Sequence, residues 1–413
     1  MPESRARERS DTPAVPTAAV EYNPYSYEAH EDPYPIYARL RAEAPVYRND
    51  ELDFWALSRH HDVIEGFRDA TRLSSAYGVT LDKAAWGPWA HKTMSFLAMD
   101  EPRHGRMRAL VSRGFTPRRV AELEPRIRTM AVNLIDSLMQ RGGGDLIADF
   151  AGILPMDVIS ELLGVPVADR PRLRSLADLM IHREEGVHDV PPKGIEAAFE
   201  LAGYYADLVA ARRAQPADDL VSALTTAEID GDRLEDNEIV SFLYLMVVAG
   251  NETTTKLLGH AWYWADVFAE QRRAVWDDPA LVGSWVEETL RYDTSSQMLA
   301  RRTTQPLHLH GTTIGEGERV LLLVGSANRD PAVFEDPDRY DVARRDAAPH
   351  LASFGFGRHF CLGASLARLE ARVVLEEWVA RVARYEVDRE RARRVHSVNV
   401  RGFAALPATV VSR

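Results

Sequence analysis

The chain of 413 residues holds a single cysteine, Cys361. One thiol allows no internal disulfide, no CxxC redox pair and no all-thiolate metal site, and an unpaired thiol points to the reducing cytoplasm. Basic residues are also in short supply. Lys and Arg number 50 against 62 Asp and Glu, a formal charge of −12, which argues against non-specific phosphate binding as the main activity. Long apolar runs are missing. The longest uncharged one, from Ile239 to Asn251, has 13 residues, short of the roughly 20 that a membrane-crossing helix needs. The N-terminus, MPESRARERSDTPAVPTAAV, places charges early and lacks a leucine-rich core, so residues 1–22 read as a disordered leader and not as a signal peptide. No Gly/Ser/Pro linker and no internal repeat divides the rest of the chain. Residues 23–413 are therefore expected to form one domain.

What is present is mostly helical pattern. Tyr34, Ile36, Tyr37 and Leu40 recur at helical spacing before Pro45 stops the run. A short apolar stretch at Phe54–Leu57 predicts a strand, and the residues around His61 to Phe67 predict a helix. Residues 71–98 have no sustained period, which suits a binding loop or a plain surface connection. Helices are expected over 102–140 with a break at Thr116-Pro117, then over 154–163, 170–182, 194–214, 217–225, 235–268, 279–292 and 363–383. The helix at 235–268 is apolar around nearly its whole circumference, as in a helix threaded through a large core. Short β-like runs separated by Gly-rich turns fill 306–330. The fold class is mainly α with a smaller β region.

Cys361 lies in FGFGRHFCLGASLARLE, flanked by Gly355, Gly357 and Gly363 and followed by a small-residue helix. A packed structural cysteine needs no glycine escort. A ligand thiolate does, because backbone N–H groups must reach the sulfur and the chain must approach a flat partner closely. Acyl transfer would use His359 as base, but residues two apart in a turn seldom align as nucleophile and base. Zinc would require clustered histidines. Haem iron needs only one axial thiolate from the protein, which matches this inventory.

With those residues in view, the sequence resembles the cytochrome P450 family in its soluble bacterial form. Four separated segments carry the resemblance: FGFGRHFC at Phe354–Cys361, EETLR with Glu288 and Arg291, AGNET at Ala249–Thr253, and ANRDPAVFEDPDRYDVAR at Ala327–Arg344. It extends from about Asn23 to the C-terminus and implies the cytochrome P450 fold, with haem b (iron protoporphyrin IX) between the long central helix and the cysteine loop. By the same resemblance Cys361 is the iron ligand, Phe354 covers the thiolate side, and Glu288 and Arg291 form a buried ion pair beneath the haem. His104, Arg108, Arg302 and His359 are the implied propionate partners. Arg301 rivals Arg302, and the spacing to Gly311 favours Arg302.

The resemblance further implies oxygen activation at the central helix. Gly250 would leave room beside the iron, and Thr253 with Glu252 would relay protons to bound oxygen. Each has a plainer reading: Thr253 hydrogen-bonded back to a helix carbonyl, Glu252 in a buried ion pair. With no second cysteine and no GxGxxG fingerprint, two electrons must come from outside, from a ferredoxin or flavodoxin-type donor served by an NAD(P)H-dependent reductase. Arg103, Arg106, Arg108, Arg113, Arg118 and Arg119 offer a basic docking face for it. The substrate pocket is expected from the 71–98 loop, Leu179, Leu245, Val248, Ala249, Ser295, Gln297 and Val398, mostly apolar side chains suited to a hydrophobic molecule such as a steroid, terpenoid, fatty acyl chain or macrocycle. The implied activity is a monooxygenase; a peroxygenase and a non-catalytic haem sensor are the alternatives.

Overall fold

In a computed structural model, the chain is described over residues 19–112, 115–183, 187–345 and 347–413. The helices that build the site are α1 (Arg103–Ser112), α2 (Glu124–Gln140), α3 (Leu154–Leu162), α4 (Arg170–Ile181), α5 (Pro192–Ala214), α6 (Asp236–Val267), α7 (Val282–Tyr292) and α8 (Ala364–Arg381). Helix α6 starts at a capping box, in which the Glu235 side chain and the Glu238 side chain exchange hydrogen bonds with each other's backbone N–H. It then runs through the core. Its C-terminal half packs Trp262 against Phe150 and Trp378, all three fully or almost fully buried, and its N-terminal half packs Phe242 and Leu243 among α3, α4 and α5. Thr116 caps the short helix Pro117–Glu122 by accepting from the Arg119 N–H, which accounts for the expected break before α2.

The β region lies to one side. Strands β1 (Val46–Asn49), β2 (Phe54–Leu57), β3 (Leu73–Ser74), β4 (Leu299–Thr303) and β5 (Arg319–Leu322) form a sheet in the order β1-β2-β5-β4-β3. Strand β5 is parallel to β2 and antiparallel to β4, with Arg301 opposite Val320 and Arg302 opposite Arg319. Val20 and Tyr22 are buried in a cluster with Tyr37, Phe54 and Met298. The packed chain thus begins before Asn23, and the leader expected over 1–22 does not extend to its last residues; residues 1–18 lie outside the described part. Among the described residues no helix is long and apolar enough to cross a membrane.

Glu288 and Arg291 are both wholly buried, and they form a two-pronged ion pair at 2.8 Å on each arm. Their spare valences are filled. Arg291 also donates to the carbonyls of Asn328, Pro337 and Arg339, and Glu288 accepts from the Asp341 N–H and lies 3.2 Å from Arg344. Three carbonyls of the 328–339 segment are thus gathered on one guanidinium, which fixes the chain that leads to the cysteine loop. Removing one member would leave a buried, uncompensated charge. Glu288→Ala is expected to lower stability by about 3–5 kcal/mol, read as the loss in a denaturant-unfolding experiment; a loss below about 1 kcal/mol would show that the pair does not brace the fold.

Candidate active site

The cysteine loop is bent by glycine where glycine is required. Gly355 (φ 67°) and Gly357 (φ 69°) hold left-handed conformations that a side chain would strain. The Cys361 N–H closes the loop onto the Phe354 carbonyl at 2.9 Å. Cys361 is exposed to a cavity, and protein encloses the sulfur from the other sides. Burial pushes its thiol up; the N–H groups of Gly363 and Ala364 and the guanidinium groups of Arg108 and Arg368 pull it back down. These are the donors a bound thiolate needs. Phe354 borders the cavity below the sulfur, held from behind by Arg368, whose guanidinium lies 4.4 Å from its ring and is itself fixed by Glu287 at 2.6 and 3.0 Å.

Across the cavity stands α6. Phe242, Met246, Ala249, Gly250, Thr253 and Leu257 face inward at helical intervals. The cavity lies between this face of α6 and the cysteine loop, with Phe354 and Cys361 on its other side. Thr253 is half-buried, and its hydroxyl donates to the Ala249 carbonyl at 2.8 Å, so its oxygen is left to accept from the cavity side. Gly250 borders the cavity, yet a Cβ there would meet Ile159 of α3 at 2.5 Å and nothing else within 4 Å. This glycine therefore also serves the close packing of α6 against α3. Glu252 does not border the cavity. It is buried, and its carboxylate pairs with Lys256 at 3.0 Å.

Beside the cavity, which Arg108 and His359 border, a set of buried polar atoms has no hydrogen-bond partner among the described residues: both ring nitrogens of His104, Nδ1 of His359, one terminal nitrogen of Arg108 and one of Arg301. The two imidazoles are 4.1 Å apart by ring centre. His104 sits 3.6 Å from Glu101, too far for a hydrogen bond. Burial first, then Arg301, His104 and Arg108, press the His359 imidazole down to about 2, and burial presses Arg301 down to about 10. Orphaned donors in such number are rare inside proteins; here they outline a place for carboxylates. The two propionates of a haem, its iron over Cys361, fit this donor set.

Arg302 is not among these donors. Successive strand residues point to opposite faces, so in β4 Arg301 turns inward, 2% exposed, while Arg302 turns outward and stacks its guanidinium 4.2 Å from the centre of the Tyr77 ring. The preference for Arg302 is therefore corrected to Arg301. The pocket expectations divide in the same way. Leu245, Ala249 and Ser295 border the cavity. Leu179 faces solvent at 42% exposure, Val248 packs in the cluster around Phe242 and Leu243, Gln297 turns its amide onto the Thr294 carbonyl at 2.7 Å, and Val398 packs with Tyr22 and Leu81; none of the four borders it. From the 71–98 loop only Phe96 and Leu97 do. Of the arginines expected to dock a donor, Arg106 is engaged by Asp232 and Glu238 at 2.5 and 2.7 Å and Arg108 turns to the cavity and donates to the Phe360 carbonyl, while Arg113 lies outside the described residues.

Sequence reasoning misses one titratable group. Glu370, one helical turn beyond Leu366 on α8, borders the cavity from the cysteine side with one carboxyl oxygen unpartnered, and burial raises it to about 8. Its place in LARLE, on the face of α8 that carries Leu366, Leu369, Val373 and Val374, is the available signal. These positions generate two expected outcomes. Arg301→Ala is expected to cut haem retention at least several-fold, with Arg302→Ala leaving it near wild type, measured as the haem-to-protein absorbance ratio; the reverse order would restore Arg302 as the partner. Glu370 keeps its proton in the folded state up to about 8 but loses it near 4.5 when unfolded, so its burial costs more as pH rises between those values. Glu370→Gln should therefore gain stability over wild type by roughly 3–4 kcal/mol on going from pH 5 to pH 8; a pH-independent difference in denaturant midpoints would refute the raised value.

Comparison with known proteins agrees with this geometry. Residues 280–397 match the family model described as Cytochrome P450. The chain is 59% identical over 391 residues to cytochrome P450 123 of Mycobacterium tuberculosis, a name that states no reaction, covering 95% of this chain and 97% of that one. It is 41% identical over 366 residues to the vitamin D(3) 25-hydroxylase of Pseudonocardia autotrophica, covering 87% and 88%. Among solved structures, CYP109Q5 from Chondromyces apiculatus superposes with a TM-score of 0.85 at 33% identity over 95% of this chain and 99% of that one. CYP109E1 from Bacillus megaterium, solved with testosterone, gives 0.81 at 30% identity over 92% and 99%. The thiol loop, the buried Glu-Arg pair and the long helix over the cavity are thus those of the family to which this chain belongs, the haem-binding cytochromes P450.

Proposed function

We propose that the protein is a haem-thiolate monooxygenase that inserts one atom of dioxygen into an uncharged, steroid-like molecule, by C–H hydroxylation or epoxidation. Haem b held by a thiolate supplies the oxygen chemistry, since electron release from sulfur favours O–O cleavage. The chain's own residues do the rest. Cys361 anchors the cofactor, Arg108 and Arg301 neutralise its carboxylates while His104 and His359 donate hydrogen bonds to them, and Thr253 presents a hydroxyl oxygen at the cavity face of α6. Electrons come from an external ferredoxin or flavodoxin-type donor with an NAD(P)H-dependent reductase, because the chain carries no second redox centre.

The observation that carries the substrate class is the make-up of the wall opposite Cys361. Apart from Cys361 and from Arg108, His359 and Glu370, assigned above to the cofactor edge and the cysteine side, no described lining residue, from Phe96, Phe242, Leu245 and Met246 to Thr294, Ser295 and Ser296, is ionisable. A buried carboxylate or ammonium on the substrate would find no countercharge there, whereas hydroxyl or carbonyl groups could hydrogen-bond to Thr294 and Ser296. The vitamin D(3) hydroxylase and the testosterone-bound relative support the same class.

The purified protein, reduced under carbon monoxide, is expected to give the red-shifted Soret band of thiolate ligation. Testosterone should shift the ferric spectrum to high spin at least about tenfold more tightly than palmitate, whose carboxylate has no partner on that wall. With a surrogate ferredoxin system and labelled dioxygen, the product should carry one labelled atom. Tight steroid binding with no product would favour a sensor, and preferential binding of palmitate would overturn the substrate class.

A further inference from the structure

Ser295 borders the cavity, yet its hydroxyl donates to the Thr253 carbonyl of α6 at 2.8 Å. A carbonyl inside a helix keeps a second lone pair after accepting from the N–H four residues on. Ser295 fills that lone pair at the residue that presents its own hydroxyl to the cavity. Thr253 is thereby held at both ends, since its hydroxyl donates to the Ala249 carbonyl. The support falls where α6 is weakest. Gly250 lies in the same turn, and glycine inside a helix lowers its stability, while a threonine bonded back to the preceding turn bends it. The donor, by contrast, is fixed from behind. Asp293 is wholly buried and accepts from the Tyr34 hydroxyl at 2.8 Å, the Trp264 indole N–H at 3.0 Å and Arg401 at 2.7 Å. The Arg401 N–H donates to the Ser295 carbonyl at 2.8 Å, and the Gln297 N–H donates to the Asn399 carbonyl at 2.9 Å.

We propose that Ser295 is a positioning residue: its hydroxyl ties the Thr253 peptide to the anchored 293–297 segment, so that the Thr253 hydroxyl and the substrate wall at Thr294 and Ser296 keep one fixed spacing. Thr294 and Ser296 border the same cavity. A steroid resting on them and the hydroxyl on α6 are therefore referred to a single rigid element. Alanine at 295 removes the donor and lets this turn of α6 drift, and a misplacement of about 1 Å costs positioned chemistry as much as a hundredfold. This assignment rests on the monooxygenase reading above. In that reaction dioxygen, two electrons, two protons and substrate yield an alcohol and water. Where substrate and Thr253 are out of register, the same two electrons and two protons leave with dioxygen as hydrogen peroxide. Ser295 thus sets the share of electrons that reaches product, and not the affinity for substrate.

The test compares haem-loaded wild type, Ser295→Ala and Ser295→Thr by amide hydrogen exchange and by turnover of testosterone with a surrogate ferredoxin system. In Ser295→Ala the α6 amides from Gly250 to Leu258 should exchange about fivefold faster, the effect of one lost hydrogen bond. The ratio of peroxide to product per NADH oxidised should rise at least about fivefold, while the testosterone dissociation constant, read from the ferric spin shift, stays within about twofold. Ser295→Thr keeps the hydroxyl and should bring exchange and product share back toward wild type. Unchanged exchange and peroxide share in Ser295→Ala overturn the proposal. So does faster exchange with an unchanged peroxide share, which leaves a structural contact only, and so does weaker steroid binding with an unchanged peroxide share, which makes Ser295 a substrate contact. A wild type whose NADH oxidation yields neither alcohol nor peroxide overturns the monooxygenase reading instead, and the tie to α6 then stands or falls by exchange alone.

Discussion

A single sulfur facing a buried helix across an open gap is the constraint on which this fold depends. Cys361 must be presented at the end of a loop tight enough to aim two backbone N–H groups at it, and that loop must itself be held still. The glycines at 355 and 357 give the bend. The buried Glu288–Arg291 pair gathers the 328–339 carbonyls that lead into the loop, and Arg368 backs Phe354 from α8. On the far side, α6 can be straight and apolar all round because Trp262, Phe150 and Trp378 surround one half of it and Phe242 with its neighbours the other. The cavity is what remains between two rigid walls.

The polar atoms divide the cavity by chemistry. One side collects imidazole and guanidinium atoms with no hydrogen-bond partner among the described residues. Among the described residues, the lining contributed by α6 and by 294–296 holds apolar side chains and hydroxyls. In a low-dielectric space this separation directs charge: an anionic cofactor edge is stabilised at one end, and an ionised substrate is disfavoured at the other. Orientation of both guests comes from the same distribution, with no need for a dedicated specificity loop.

Much of this is legible in the sequence because its signals are local. Helical period locates every major helix, and glycine spacing around a lone cysteine locates the loop. The features that escape it depend on register or on distant partners. Arg301 and Arg302 are neighbours in sequence, and a count of residues to Gly311 cannot say which parity faces inward; pairing with β5 decides it. Gly250 borders the cavity, but its close contact with Ile159, some 90 residues away in the chain, gives no local sign. For Glu252 the structure shows the ion pair that was one of its two sequence readings, but its partner Lys256 is held by a turn near the C-terminus that gives no local sign. Leu179, Val248, Gln297 and Val398 are near the cavity in the chain's course, but their side chains point elsewhere.

That C-terminal turn has a wider meaning. Gly402 makes the groove in which the lysine lies, and the carbonyl of Phe403 receives its ammonium. The electrostatic setting of an acid in the middle of the central helix is thereby written partly into backbone some 150 positions later. Sequence drift in the tail, far from any reacting atom, can retune the chemistry of the core without altering a single residue that touches it.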